Sequence, residues 1–220
     1  MMLSPDGRLY QVEYAKESVR RGATALGMVT EDSVVFVAHK NVQEPLAVAS
    51  SLGKIFRVDS YIGATYSGIA ADGLRVINMM RGKTQSHRMV YDETQSVETV
   101  ARDMSEEMQM ATQYGGIRPY AVSVLIGGID TQPRLFEIDP TASFLGYRAD
   151  AIGIGKKVAE DVLVKEYKDG MATSDAIALG VKIISKVGEG KLTGDNIEIA
   201  MIDKKSGYTT FPSERVAKYI

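Results

Sequence analysis

The 220-residue sequence contains no cysteine and only two histidines, His39 and His87. The first absence excludes a disulfide framework, a thiol nucleophile and any zinc or iron–sulfur site built on thiolate. The second excludes a three-histidine metal centre. Charge of one sign is also lacking: 26 basic against 28 acidic residues leave a net −2. A dedicated nucleic-acid binder carries a basic excess or patch, so this balance argues against one. The longest apolar runs, such as Tyr120–Ile126, fall far short of the ~20 residues a membrane span needs. The opening Met-Met-Leu-Ser-Pro-Asp-Gly-Arg has no apolar core of a signal peptide. Together these absences predict a soluble, cytoplasmic chain with no metal, cofactor, nucleic-acid or membrane partner. What is present is an ordinary globular mixture, 45% apolar and 25% charged. A chain of this length buries about 70% of its unfolded surface without a staple, and one domain over residues 1–220 is expected.

Ser4-Pro5-Asp6-Gly7 reads as a turn, because proline presets φ and glycine tolerates positive φ. Val12, Ala15 and Val19 then recur at helical spacing within Gln11–Arg20, closed by Arg20-Arg21-Gly22. From Ala23 the period changes to short apolar runs, 23–29 with 34–38 and 55–58 with 62–67, which predict hairpins. Two helices follow, over 70–85 with Leu74, Ile77 and Met80 or Arg81 marking the spacing, and over 97–114. The second carries Val97, Val100, Met104, Met108 and Ala111 on one face, read as core rather than as a binding stripe. Strands are predicted at 121–126, 134–138, 144–147 and 150–153, helices at 156–167 and 174–187, and a hairpin at 197–202 and 208–211. Pro212 starts a short terminal helix. Blocks of strands and helices in this order predict an α+β fold with antiparallel hairpins rather than a doubly wound parallel sheet.

Chemistry is hard to find in the residues themselves. Ile152-Gly-Ile-Gly-Lys-Lys157 joins a strand to a helix but lacks the spacing of a phosphate loop, so close strand–helix packing explains its glycines better. Ser67 precedes Gly68 without forming a nucleophile elbow. His39, at the end of an apolar strand, reads as a structural histidine, and His87 in a polar stretch as a solvated one. The pairs Glu31-Asp32, Asp92-Glu93 and Glu106-Glu107 read as solvated faces and caps. Composition and spacing end at an α+β domain with no visible active site.

Ser4-Pro-Asp-Gly-Arg-Leu-Tyr-Gln-Val-Glu-Tyr-Ala15, however, closely resembles the signature of proteasome α-subunits, most nearly archaeal ones. Gly22-Ala-Thr-Ala-Leu-Gly27, Tyr66-Ser-Gly68, Thr112-Gln-Tyr-Gly-Gly-Ile-Arg-Pro-Tyr120 and Ala151-Ile-Gly-Ile-Gly155 extend the resemblance along the chain. It implies a four-layer αββα sandwich of the N-terminal-nucleophile hydrolase type, with the turn and signature helix of residues 1–22 packed on a ring surface. Catalytic β-subunits use an exposed N-terminal threonine whose amine is the base. Alignment on Leu26-Gly27 puts Ala23 at the nucleophile position, His39 at the aspartate position and Lys54 at the lysine position, which implies an inert subunit. The competing enzyme reading is a threonine hydrolase that uses Thr24 after cleavage at Ala23 and discards the helix as a propeptide.

The resemblance further implies a ring of seven α-subunits capping the β-subunits, admitting unfolded proteins and receiving the C-termini of an ATPase or other ring activator. Lys54, Gly22 and Leu9 match the pocket for that C-terminal carboxylate; without the resemblance, Lys54 reads as a solvated strand-end lysine. Ser4, Pro5, Asp6, Gly7 and Tyr14 match the turn and cluster that support the gate, although Pro5 also suits plain helix entry. Tyr114, Gly115, Gly116, Ile117 and Arg118 match the loop that narrows the pore, whose glycines could equally cap a helix. Family members carry several further residues before the position of Ser4, including a Tyr-Asp-Arg segment, so a shortened gate is expected here. Ala121 stands where a glycine is usual.

Overall fold

The computed structural model describes residues 3–40, 46, 48, 51–188 and 192–220; Met1 and Met2, which precede the signature, lie outside them. Helix α1 (Tyr10–Arg20) leads into the hairpin β1 (Ala25–Val29) and β2 (Ser33–His39), then β3 (Ile55–Asp59) and β4 (Ile62–Gly68). Helices α2 (Ala70–Tyr91) and α3 (Val97–Gln113) follow, then β5 (Val122–Ile129), β6 (Pro133–Ile138), β7 (Phe144–Tyr147) and β8 (Ala149–Ile152). The chain continues through α4 (Lys156–Glu166), α5 (Thr173–Val187), β9 (Ile197–Asp203), β10 (Gly207–Thr210) and α6 (Ser213–Val216).

The strands form two five-stranded antiparallel sheets, ordered β10-β9-β2-β1-β8 and β3-β4-β5-β6-β7. Three apolar clusters hold four layers together. One joins α4 and α5 to the first sheet, one joins α2 and α3 to the second, and the third lies between the sheets. Strand β2 shows why its sequence is one unbroken apolar run. Successive side chains point to opposite faces, so Val35 and Val37 meet the α5 cluster while Val34, Phe36 and Ala38 enter the space between the sheets. Strand β5 does the same, with Val122, Val124 and Ile126 toward α2 and α3 and Leu125 and Ile129 toward the first sheet. The expected α+β sandwich is therefore the observed one.

Two expectations are corrected. Helix α2 runs to Tyr91 rather than ending at residue 85, and Leu74 faces solvent while Gly73, Val76, Ile77, Met80 and Thr84 form its buried stripe. Gly73 sets that rotation: a Cβ there would lie 2.4 Å from the Tyr66 ring, so only glycine admits the close approach. The last turn, Met89–Tyr91, is exposed and carries no helical period to mark its end. His87 is not simply solvated; it lies on α2, tilted against the Tyr91 ring at 4.7 Å and 3.6 Å from Glu93.

Candidate functional site

Helix α1 packs on β4 and β5 through Val12, Ala15 and Val19. The turn before it closes on itself. The Ser4 N–H donates to the Arg8 carbonyl at 2.8 Å, the Gly7 N–H to the Ser4 carbonyl at 2.8 Å, and the Arg8 N–H to Ser4 Oγ at 2.9 Å. Gly7 takes φ +76°, which glycine adopts without strain. Pro5 and Asp6 are exposed, and Tyr14 projects from the outer face of α1.

The far end of α1 is stitched to the sandwich by Ser67, which the sequence offers only as a rejected nucleophile. Ser67 Oγ donates to the carbonyls of Val19 and Ala23, at 3.3 and 3.2 Å. A Cβ on Gly22 would fall 2.2 Å from the same oxygen, so Gly22 is required for this approach. The Gly153–Gly155 segment closes the connection from the other side. The Ile154 N–H donates to the Gly22 carbonyl and the Gly155 N–H to Thr24 Oγ1, both at 2.9 Å. Gly153 sits at φ +96° with its would-be Cβ 2.7 Å from the carbonyls of Gly22 and Ala23. These glycines serve close backbone packing.

The three positions aligned with a catalytic triad converge on this same end of β4. Ala23 bonds Ser67 through its carbonyl. His39 is buried and its backbone N–H donates to the Thr24 carbonyl at 2.9 Å. Lys54 Nζ donates to the Tyr66 carbonyl at 2.9 Å and lies 4.8 Å from the centre of the Tyr66 ring. Beside it, Glu198 Oε2 accepts the Lys54 backbone N–H at 2.9 Å. Burial raises the Glu198 carboxyl above its ordinary range, opposed by that N–H and by the charges of Lys40 and Lys54. Glu198 gave no sequence signal, because it comes from β9 and reaches Lys54 only through the fold.

Gly22 and Lys54 thus border consecutive residues of β4. Leu9 does not join them directly: it caps the opposite end of α1, and an eleven-residue helix spans about 16 Å.

Beyond α3 the loop differs from a plain glycine cap. Tyr114 itself is the C-cap, in an extended conformation, and Gly116, two residues on, takes φ +82°. Tyr114 and Ile117 are exposed, and a Cβ on Gly115 or Gly116 would meet nothing within 4 Å. Arg118, more than half exposed, anchors the loop. It grips Asp72 of α2 with both Nη1 and Nη2, at 2.6 and 2.8 Å, while the Ala121 N–H adds a third bond at 2.9 Å. Burial works to raise the Asp72 carboxyl, but these hydrogen bonds and the charges of Arg118 and Arg75 outweigh it and hold it below the ordinary carboxylate value. The loop is thereby a glycine tip on a clamped base.

The description "Proteasome subunit" belongs to the family model that matches residues 19–202. That span starts beyond the turn and most of α1, which full-length relatives cover. A proteasome subunit alpha of Methanoregula boonei is 42% identical over 100% of this chain and 92% of its own length. One from Methanosarcina thermophila is 40% identical over 100% and 90%, and one from Archaeoglobus fulgidus 41% over 91% and 82%. With its two facing antiparallel sheets flanked by helices and its full-length likeness to α-type relatives, the chain belongs to the proteasome subunit family.

Proposed function

We propose that the chain is the non-catalytic end-ring subunit of a proteasome core particle in the cytoplasm, acting as one domain over residues 1–220. Seven copies form a ring that caps the β-subunits, narrows the axial pore and receives the C-termini of an ATPase or other ring activator. Unfolded proteins pass through the pore to the β-subunits for hydrolysis.

The observation that carries this reading is the state of residues 22–24. Threonine hydrolysis in this family needs a free N-terminal amine beside the hydroxyl. Here Ala23 offers no hydroxyl, and the Thr24 hydroxyl is fully buried and accepts the Gly155 N–H. Exposing Thr24 as a new terminus would mean removing α1 from its seat on β4 and β5.

In the pocket reading, Lys54 and Gly22 come from one copy and Leu9 from the neighbouring copy, since the length of α1 separates them. A carboxylate placed there pairs with the Lys54 ammonium as a charge-assisted hydrogen bond. The loop 114–118 lines the pore, and Ser4–Gly7 with Tyr14 supports the gate.

Native mass spectrometry of the purified chain, with a peptidase assay before and after adding a catalytic β-subunit, tests the proposal. A seven- or fourteen-membered inert assembly that becomes active only with the partner supports it. An active monomer lacking residues 1–23 overturns it. Lys54→Ala is expected to abolish activator stimulation while ring assembly persists; unchanged stimulation removes the pocket assignment.

A further inference from the structure

A second group of buried charges lies where the two sheets and α4 meet. Lys156, the first residue of α4, donates from Nζ to Glu137 Oε2 of β6 at 2.9 Å and lies 3.5 Å from Asp150 Oδ1 of β8. Strand β6 belongs to one sheet and β8 to the other, so a single ammonium ties three elements. Asp150 is 3% exposed and the Glu137 side chain 11%. Glu160, 3.8 Å from the same ammonium, is half exposed, so water screens most of its charge.

The charges do not balance. A buried carboxylate, Asp150, and a largely buried one, Glu137, face one ammonium, and an uncompensated buried charge takes up a proton rather than remain ionised. The hydrogen-bond pattern shows where that proton fits. Among the described residues, Asp150 Oδ2 is buried without a hydrogen-bond partner. Asp150 and Glu137 converge on the same ammonium, at 3.5 and 2.9 Å, so the two carboxyls lie side by side. Two ionised carboxylates can only accept, so a proton is what completes the pair. The other charged or titratable groups facing this junction are Tyr147 of β7, Lys157 of α4, Lys16 and Arg20 of α1, and Asp139 after β6. Apart from Tyr147, these line a cavity of about 700 Å³ that also touches Glu137 and Lys156. Burial and then the Glu137 charge push the Asp150 carboxyl up to about 7 against the pull of Lys156. Burial opposes the Lys156 ammonium, but the two carboxylates hold its pKa above the ordinary value.

We propose that Asp150 and Glu137 share one proton at near-neutral pH, and that this proton, held beside Lys156, latches the two sheets and α4 together. Release of the proton sets two carboxylates against each other across the sheets. Lys156 directly follows the Gly153–Gly155 segment that bonds Gly22 and Thr24, so opening the latch loosens the seat of α1.

The sign follows from linkage. Folding raises the affinity of Asp150 for its proton, so the stabilisation is complete below the unfolded carboxyl value, near pH 4. It is lost as pH rises toward the folded value of about 7. Denaturant unfolding of the purified chain and of Asp150→Asn, across about pH 5 to 8.5, reads this directly. The ratio of the wild-type to the variant unfolding constant is expected to rise about tenfold per pH unit up to near pH 7 and then level off. Difference infrared spectra are expected to show a protonated-carboxyl band that disappears with a midpoint near pH 7 and is missing in Asp150→Asn. A pH-independent ratio together with no such band overturns the proposal. If Asp150→Asn does not fold, Glu137→Gln supplies the same test. Removing the Glu137 charge must move the band's midpoint to lower pH, and an unmoved midpoint overturns the shared proton.

Discussion

Lys54 and Lys156 both stand at the start of an element beside a buried carboxylate, yet the chain uses the two cations in different ways. Glu198 takes the backbone N–H of Lys54, while the ammonium goes to the Tyr66 carbonyl and the Tyr66 ring. At the other junction the Lys156 ammonium itself meets Glu137 and Asp150. The first arrangement serves its carboxylate with a peptide dipole, and its ammonium bonds the Tyr66 carbonyl. The second commits the cation to structure. Side-chain type alone does not separate these roles; the partner atoms do.

The largest effect is expected at Gly153, whose backbone lies between the two junctions. Gly153→Ala combines a left-handed φ with a Cβ driven into two backbone carbonyls, a loss of about 4 kcal/mol. Gly115→Ala, with nothing near its Cβ, is the control and should leave denaturant unfolding unchanged.

Next comes Asp72→Asn, which breaks the clamp beneath the loop. A loss of about 3 kcal/mol is expected for a buried, triply bonded carboxylate, reduced from the top of the range because Arg118 is more than half exposed. The pH dependence has the opposite sign to that of Asp150. The depressed Asp72 carboxyl gives stability that is present above the unfolded carboxyl value and lost as pH falls through the folded one. Acid unfolding of Asp72→Asn should therefore be less steep than that of the wild type.

Lys156→Ala and Lys54→Ala then set the two junctions against each other. Removing Lys156 leaves two carboxylates without their cation, a loss of about 2 kcal/mol that should be larger at pH 8 than at pH 6. Removing Lys54 gives up at least its hydrogen bond to the Tyr66 carbonyl and its cation–π contact, a loss of no less than about 1 kcal/mol. Thermal melts of both variants at the two pH values decide whether the distinction holds.

How much of this was legible in sequence follows from the same contrast. The hairpins were readable because β1 to β4 alternate apolar runs with short turns, and α3 because Met104 and Met108 keep helical spacing to its end. Lys54 and Gly22 were singled out only through the family signature, since a lone lysine before a strand looks solvated. The set Glu137, Asp150 and Lys156 carried no signal: its members sit on three separate elements, and their meaning is a charge count that exists only once both sheets close. Asp72 was hidden for the same reason, its partner arriving from a loop 46 positions away. Leu74 is apolar yet exposed, so apolar spacing alone misplaces the buried stripe; Gly73 and its fit to Tyr66 fix the rotation of α2.

The strands buried on both faces have a consequence for how the chain finds its register. A strand with one wet face is aligned by polarity, because a one-residue slip would turn its apolar side to water. In β2 such a slip would merely exchange one apolar cluster for another. Size has to do what polarity cannot. Phe36 lies opposite Gly27 in the β1–β2 pairing. A Cβ on Gly27 or on Gly127 of the facing sheet would come within 3.1 or 3.0 Å of the Phe36 ring. The ring therefore works as a key in a slot cut by two glycines from different sheets. Any misaligned β2 sets a smaller residue in that slot and drives the phenyl into filled space, so steric fit proofreads the pairing.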